Sequence, residues 1–87
     1  MSININDLKK KILYRSNYRG IKELDILLSN FTQSIVDQLN EDDLLDLFNF
    51  LNLDDEILYK YYHGMINSLE GVNNYKIIKL YKNFKIK

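Results

Sequence analysis

Lys22–Leu39, KELDILLSNFTQSIVDQL, carries Leu24, Leu27, Leu28, Phe31 and Ile35 at the i, i+3, i+4, i+7 and i+11 spacing of one helical face, and Leu39 extends that face. The spacing predicts a helix that begins just after Gly20 and reaches about Gln38. Upstream, Ile5, Leu8, Ile12 and Leu13 repeat the pattern, with Asn4 or Asn6 available as N-cap, so a first helix is expected from about Asn6 to Tyr18. Gly20 then suits a left-handed residue that ends it. Downstream, Asn40 followed by Glu41-Asp42-Asp43 caps a third helix with the stripe Leu44, Leu47, Phe48 and Leu51. Asp54-Asp55-Glu56 repeats the signal before Ile57, Leu58, Tyr61 and Tyr62, a short fourth helix closed by Gly64. A loop is expected over 65–74, where Asn67, Ser68, Gly71, Asn73 and Asn74 cluster. A last helix over 75–85 sets Ile77, Ile78, Tyr81 and Phe84 against a face of Lys76, Lys79, Lys82 and Asn83. Nothing alternates with the period of a strand. The fold class is therefore all-α, a single-domain five-helix bundle over residues 1–87, with a core at 6–64.

Eighty-seven residues hold one core, and with no Cys to cross-link it the chain must rely on packing. The hydrophobic share of 46% against 28% charged residues is that of an ordinary globular protein rather than a disordered one. Apolar runs stop at three residues, as in Ile26-Leu27-Leu28, so no membrane span is expected. The opening segment Met1–Lys11 contains Asp7 and no continuous apolar stretch, and reads as neither a secretory signal nor a transit peptide. Cytoplasmic residence is the expectation.

Charge is segregated although the net charge is zero. Lys9, Lys10, Lys11, Arg15, Arg19 and Lys22 face Asp7 alone in the first stretch; residues 23–58 hold ten carboxylates and no Lys or Arg; from Tyr59 onward six Lys face only Glu70. The simplest consequence is closure of both basic ends on the acidic middle.

Catalytic chemistry is scarce. There is no Cys, and His63 is the only imidazole, so neither a thiolate site nor a His cage forms within one chain, and no metal is expected. Glu23 and Asp25 stand two apart on a helix, roughly 200° around it, and do not converge on one substrate. The acidic clusters lack the Gly-centred donor spacing of a calcium loop. His63, next to Gly64, suits a helix C-terminus better than an acid–base role. The Lys-rich last helix offers one alternative function, an adaptor for nucleic acid or an anionic membrane surface, but a solvated Lys face opposite a packing face explains it as well.

Ile12–Phe31, ILYRSNYRGIKELDILLSNF, resembles the hallmark of the succinate dehydrogenase assembly factor 2 family, also called the flavinator or FAD assembly factor family. Its R-G-x-x-E-x-D motif is met by Arg19, Gly20, Glu23 and Asp25, with Phe31 as the aromatic that follows. Leu51–Tyr61, LNLDDEILYKY, looks like the family's second signature, a leucine-rich helix running into paired Asp and an aromatic helix, with Tyr61 where the family usually has Trp. Members commonly carry a basic residue where this chain has Tyr18, and Arg15 stands one helical turn back.

The resemblance implies a non-enzymatic assembly factor, monomeric when free, that binds the flavoprotein subunit of succinate dehydrogenase or fumarate reductase and promotes covalent FAD attachment. FAD belongs to that client; the chain itself lacks a dinucleotide fingerprint and is not expected to bind FAD tightly, and with zero net charge and no nucleic-acid motif no nucleic acid is expected as partner. The resemblance also implies a partner surface of Arg19, Gly20, Glu23, Asp25 and Arg15. On this reading Arg19 and Glu23 are exposed, replaceable by Ala with little structural damage, and Asp25 orients Arg19 or Lys22.

Overall fold

In the computed structural model, which describes residues 4–17, 19–69, 72 and 74–85, the chain forms five helices: α1 (Ile5–Ser16), α2 (Lys22–Ile35), α3 (Glu41–Leu51), α4 (Asp55–Tyr62) and α5 (Tyr75–Asn83). A single 3-10 turn, Val36–Gln38, prolongs α2 as far as the apolar stripe indicates. No strand occurs among the described residues, and none of their helices is long and apolar enough to cross a membrane. Three Asn side chains start three of the helices. Asn4 accepts from the Asp7 amide, Asn40 from the Asp43 amide at 2.8 Å, and Asn74 from the amides of Lys76 and Ile77, each satisfying donors that a first helical turn leaves unpaired.

The helix α1 packs on α2 and α3, α2 reaches α4, and α5 closes over α3 and α4. Leu24, Leu28, Phe31, Leu44, Leu47, Phe50, Leu51, Leu58, Ile77 and Tyr81 are fully buried at the centre. The expected stripes need three corrections. Phe50, not Phe48, is the buried aromatic of α3, because its ring packs against Phe31 of α2 and Tyr81 of α5; Phe48 is half-buried beside α1. Ile5 and Ile57, placed in stripes, lie at helix starts and are exposed. The first helix ends at Ser16 rather than Tyr18, which lies outside the described residues, as do Gly71 and Asn73 of the expected loop.

Aromatic rings fill the space between α2, α3 and α5: Tyr81 lies 5.4 Å from Phe31 and 5.0 Å from Phe50, centroid to centroid, while its hydroxyl donates to the Leu58 carbonyl at 2.7 Å. Burial pushes the Tyr81 phenol well above its ordinary pKa, so it is a permanent donor. The start of α5 is fastened to α3 by Asn74, whose amide donates to Asp43 and Asp46, and by the Lys76 ammonium 3.0 Å from Asp43. Lys82 and Lys85 lie over the rings of Tyr61 and Tyr62. The charge segregation thus closes within the molecule: Lys9 pairs with Asp37, Arg19 with Asp55 and Lys76 with Asp43.

Two outcomes follow for stability. Phe31→Ala removes the ring at the centre of the aromatic cluster and should cost about 3–5 kcal/mol in urea denaturation, whereas Lys79→Glu, on the exposed face of α5, should stay within about 0.5 kcal/mol of wild type. Hydrogen bonds from Asn74 and Lys76 hold the Asp43 carboxyl below its usual range. A depressed folded-state pKa adds stability that is complete above the ordinary carboxylate value and is lost as pH falls through the depressed one. The difference in melting temperature between wild type and Asp43→Asn should therefore be largest near neutrality and shrink in strong acid.

Candidate functional site

The candidate site is the turn that joins α1 to α2, where it meets the link between α3 and α4. Its centre is Arg19, whose side chain is only 2% exposed. The Nη1 group donates to the carbonyl of Arg15 at 2.9 Å and to that of Leu51 at 2.6 Å, and Nη2 donates to the carbonyl of Leu53 at 3.1 Å. These carbonyls belong to the last turn of α1 and to the end of α3, positions where a helix leaves acceptors unpaired and its dipole favours a cation. The Arg19 Nε stands 2.7 Å from Asp55 Oδ1, outside hydrogen-bonding angles, so the two are joined as charges. One guanidinium thus caps two helices and binds the first residue of a third.

This corrects the expectation that Arg19 is an exposed contact. A short turn with two helix C-termini beside it leaves no route to solvent for a side chain rooted at residue 19, and the planar five-donor fork matches the carbonyls and carboxylate that surround it. Asp25 accordingly does not orient Arg19; it sits half-buried in the first turn of α2, where its charge suits the helix dipole.

Gly20 is exposed, and its amide donates to Asp55 Oδ2 at 2.6 Å. The expected left-handed conformation is absent there; among the described glycines only Gly64 has positive φ, at 75°, closing α4 as expected. Gly20 serves close approach instead. A Cβ at this position would stand 3.1 Å from Asp55 Oδ2, an atom already fixed by the Gly20 amide while its twin oxygen faces Arg19. Asp55 therefore joins the whole turn to α4. Its proximity to Asp54 in a helix-starting acidic run marks it only as an N-terminal charge, so its role as the counter-ion of Arg19 was not visible along the chain.

Outward from this clamp, the accessible groups are Glu23, His63 and Arg15. The Glu23 side chain is 63% exposed, with Oε1 3.4 Å from Nε2 of His63, and the His63 ring rests 4.4 Å from that of Tyr59. His63 is the C-cap of α4, as its neighbour Gly64 indicates. Arg15 is exposed and donates from Nε to Asn52 Oδ1 at 2.8 Å. Arg15, Arg19, Asn52, Asp54 and Asp55 line a polar cleft of about 190 Å³. No group of three or more His, Cys, Asp or Glu able to hold a metal ion occurs among the described residues. The expected partner residues are thus gathered around one turn, but as two layers, with Arg19 beneath and Gly20, Glu23 and Arg15 above.

Residues 10–85 match the sequence profile of a family described as the flavinator of succinate dehydrogenase. The chain is 39% identical over 75 residues to the FAD assembly factor SdhE of Wigglesworthia glossinidia brevipalpis, covering 84% of this chain and 86% of that protein. It is 29% identical over 63 residues to the FAD assembly factor SdhE of Acetobacter pasteurianus, covering 72% of this chain and 58% of that one. It is 37% identical over 51 residues to the mitochondrial succinate dehydrogenase assembly factor 2 of Arabidopsis thaliana, covering 59% of this chain but only 27% of that longer protein. No solved structure matches.

The clamp generates a coupling that urea denaturation can read. Arg19→Met should lower stability by about 3 kcal/mol or more, since it strands three carbonyls and a partly buried carboxylate. Asp55→Asn should cost less alone, and the pair should be non-additive by about 1–3 kcal/mol. Additive losses would mean that the two residues act separately.

Proposed function

The chain belongs to the family of succinate dehydrogenase flavinators, and from that premise we propose that it binds the flavoprotein subunit of succinate dehydrogenase, or of fumarate reductase, and promotes covalent attachment of FAD to it. The observation that carries the reading is the exposed edge Gly20–Glu23, held in one position by a clamp buried beneath it. Gly20 leaves backbone open to a partner, and Glu23 offers a carboxylate to donors on the client. Because Arg19 fixes the end of α1, the end of α3 and the start of α4 together, this edge is presented in one geometry, and little ordering cost falls on association.

Such a factor works without an acid, base or nucleophile of its own. By binding one conformation of the flavoprotein it holds the isoalloxazine ring near the client's acceptor His, and positioning alone removes up to about 7–11 kcal/mol from a barrier. FAD stays with the client throughout. The chain acts in the cytoplasm as a free monomer. The alternative, a basic face for nucleic acid or membrane, has less support, because Lys76, Lys82 and Lys85 are engaged with Asp43, Tyr61 and Tyr62.

The test is flavinylation of purified client apoprotein by FAD, followed by in-gel flavin fluorescence. Glu23→Ala should slow flavinylation about tenfold or more while melting within about 4 °C of wild type. Wild-type flavinylation by Glu23→Ala would remove the edge from the partner surface.

A further inference from the structure

An open groove of about 500 Å³ lies between α1 and α3, lined by Lys10, Lys11, Tyr14, Arg15 and Phe48. Its composition divides sharply. The floor is aromatic: Phe48 is half-buried there, and Tyr14 is 70% exposed. The rim is cationic. Lys10 and Lys11 are both exposed, and neither forms an ion pair with any described residue, unlike Lys9, which is drawn to Asp37. The closure of basic ends on the acidic middle is therefore incomplete on this face. Phe48, absent from the deepest layer of the core although it belongs to a leucine-rich helix, is the apolar counterpart of these uncompensated charges.

Arg15 connects this groove to the turn, since it lines both the groove and the polar cleft beside Arg19. We propose that the client-binding surface continues from Gly20–Glu23 across Arg15 into this groove, and that the groove receives an acidic polypeptide segment of the client that seats an apolar side chain over Phe48 and sets carboxylates against Lys10 and Lys11. The proposal rests on client binding at the turn and adds to it the chemistry of a second contact. Charge complementarity selects the occupant: Lys10 and Lys11, which line the groove through their carbon stems and pair with no described carboxylate, favour carboxylates flanking an apolar anchor. A nucleic acid fits less well, because that floor has no donor or acceptor to meet a base edge and the chain as a whole carries no net positive charge.

The experiment measures affinity of the full chain for purified client apoprotein at two salt concentrations, using wild type, the double variant Lys10→Glu/Lys11→Glu, Phe48→Leu, and Lys79→Glu as a charge-reversal control on the far helix. The double variant should bind about tenfold or more weakly at low salt and lose most of the salt dependence, with an unchanged melting temperature. Phe48→Leu, which keeps an apolar filler, should weaken binding at both salt concentrations alike, and Lys79→Glu should bind as wild type. Wild-type affinity and salt dependence in the double variant overturns the groove while leaving the turn intact, provided Glu23→Ala still fails. Absence of binding by the wild-type chain itself overturns both readings. Binding of a mixed-sequence single-stranded DNA 20-mer that the double variant loses, with client affinity unaltered, overturns the acidic-segment proposal in favour of a nucleic acid.

Discussion

The guanidinium of Arg19 is taken almost wholly out of water, and an ion so placed costs several kcal/mol unless its protons find acceptors. Here they find the carbonyls of Arg15, Leu51 and Leu53, with the charge of Asp55 alongside. The requirement is geometric as much as energetic. The end of α1, the end of α3 and the start of α4 must converge within reach of one side chain, and the chain must pass close enough to Asp55 for the Gly20 amide to donate to it. A residue larger than glycine would press on that same carboxylate. The convergence of the three helix ends and the close passage of the turn past Asp55 depend on this arrangement, and Glu23 is exposed just beyond it.

A single short motif is thus divided in depth. Arg19 acts beneath the surface, whereas Gly20 and Glu23 form the surface, so on the proposed function a loss of activity on changing Arg19 would follow from disorder of the edge rather than from a missing contact. The rest of the molecule supports this platform from behind. Leu24, Leu28 and Phe31 continue the same helix into the core, and Tyr81 of α5 packs on Phe31 and Phe50 while bonding to Leu58 of α4. The last helix is thus a packing element that steadies the helices carrying the turn, with its amino end held to α3 through Asp43.

The sequence made the helices legible because their signals are local. Apolar spacing in 22–39, the Asn caps at positions 4 and 40, and Gly64 each act within one or two helical turns, and each appears in the structure where its chemistry requires, whereas Asn74, which reads in sequence only as a loop residue, caps α5. The clamp was hidden because its information is split between distant segments. Arg19 and Asp55 are 36 positions apart, and neither differs along the chain from an ordinary surface charge; the motif resemblance marked both as notable without saying that they touch. Phe48 and Phe50 pose the same difficulty, since both sit in an apolar-rich helix and only the position of α5 decides which one is covered.

Hydrogen–deuterium exchange of the full chain, with and without the apo flavoprotein subunit, tests the central claim most directly because it reads the contact surface without altering any residue. The amide of Gly20 should already exchange slowly in the free protein, bonded as it is to Asp55. Adding client should bring new protection to the first turn of α2, around Glu23, and to the end of α4 at His63, with α5 unchanged. Protection confined to the Lys-bearing face of α5, with the first turn of α2 exchanging as in the free chain, would contradict the account.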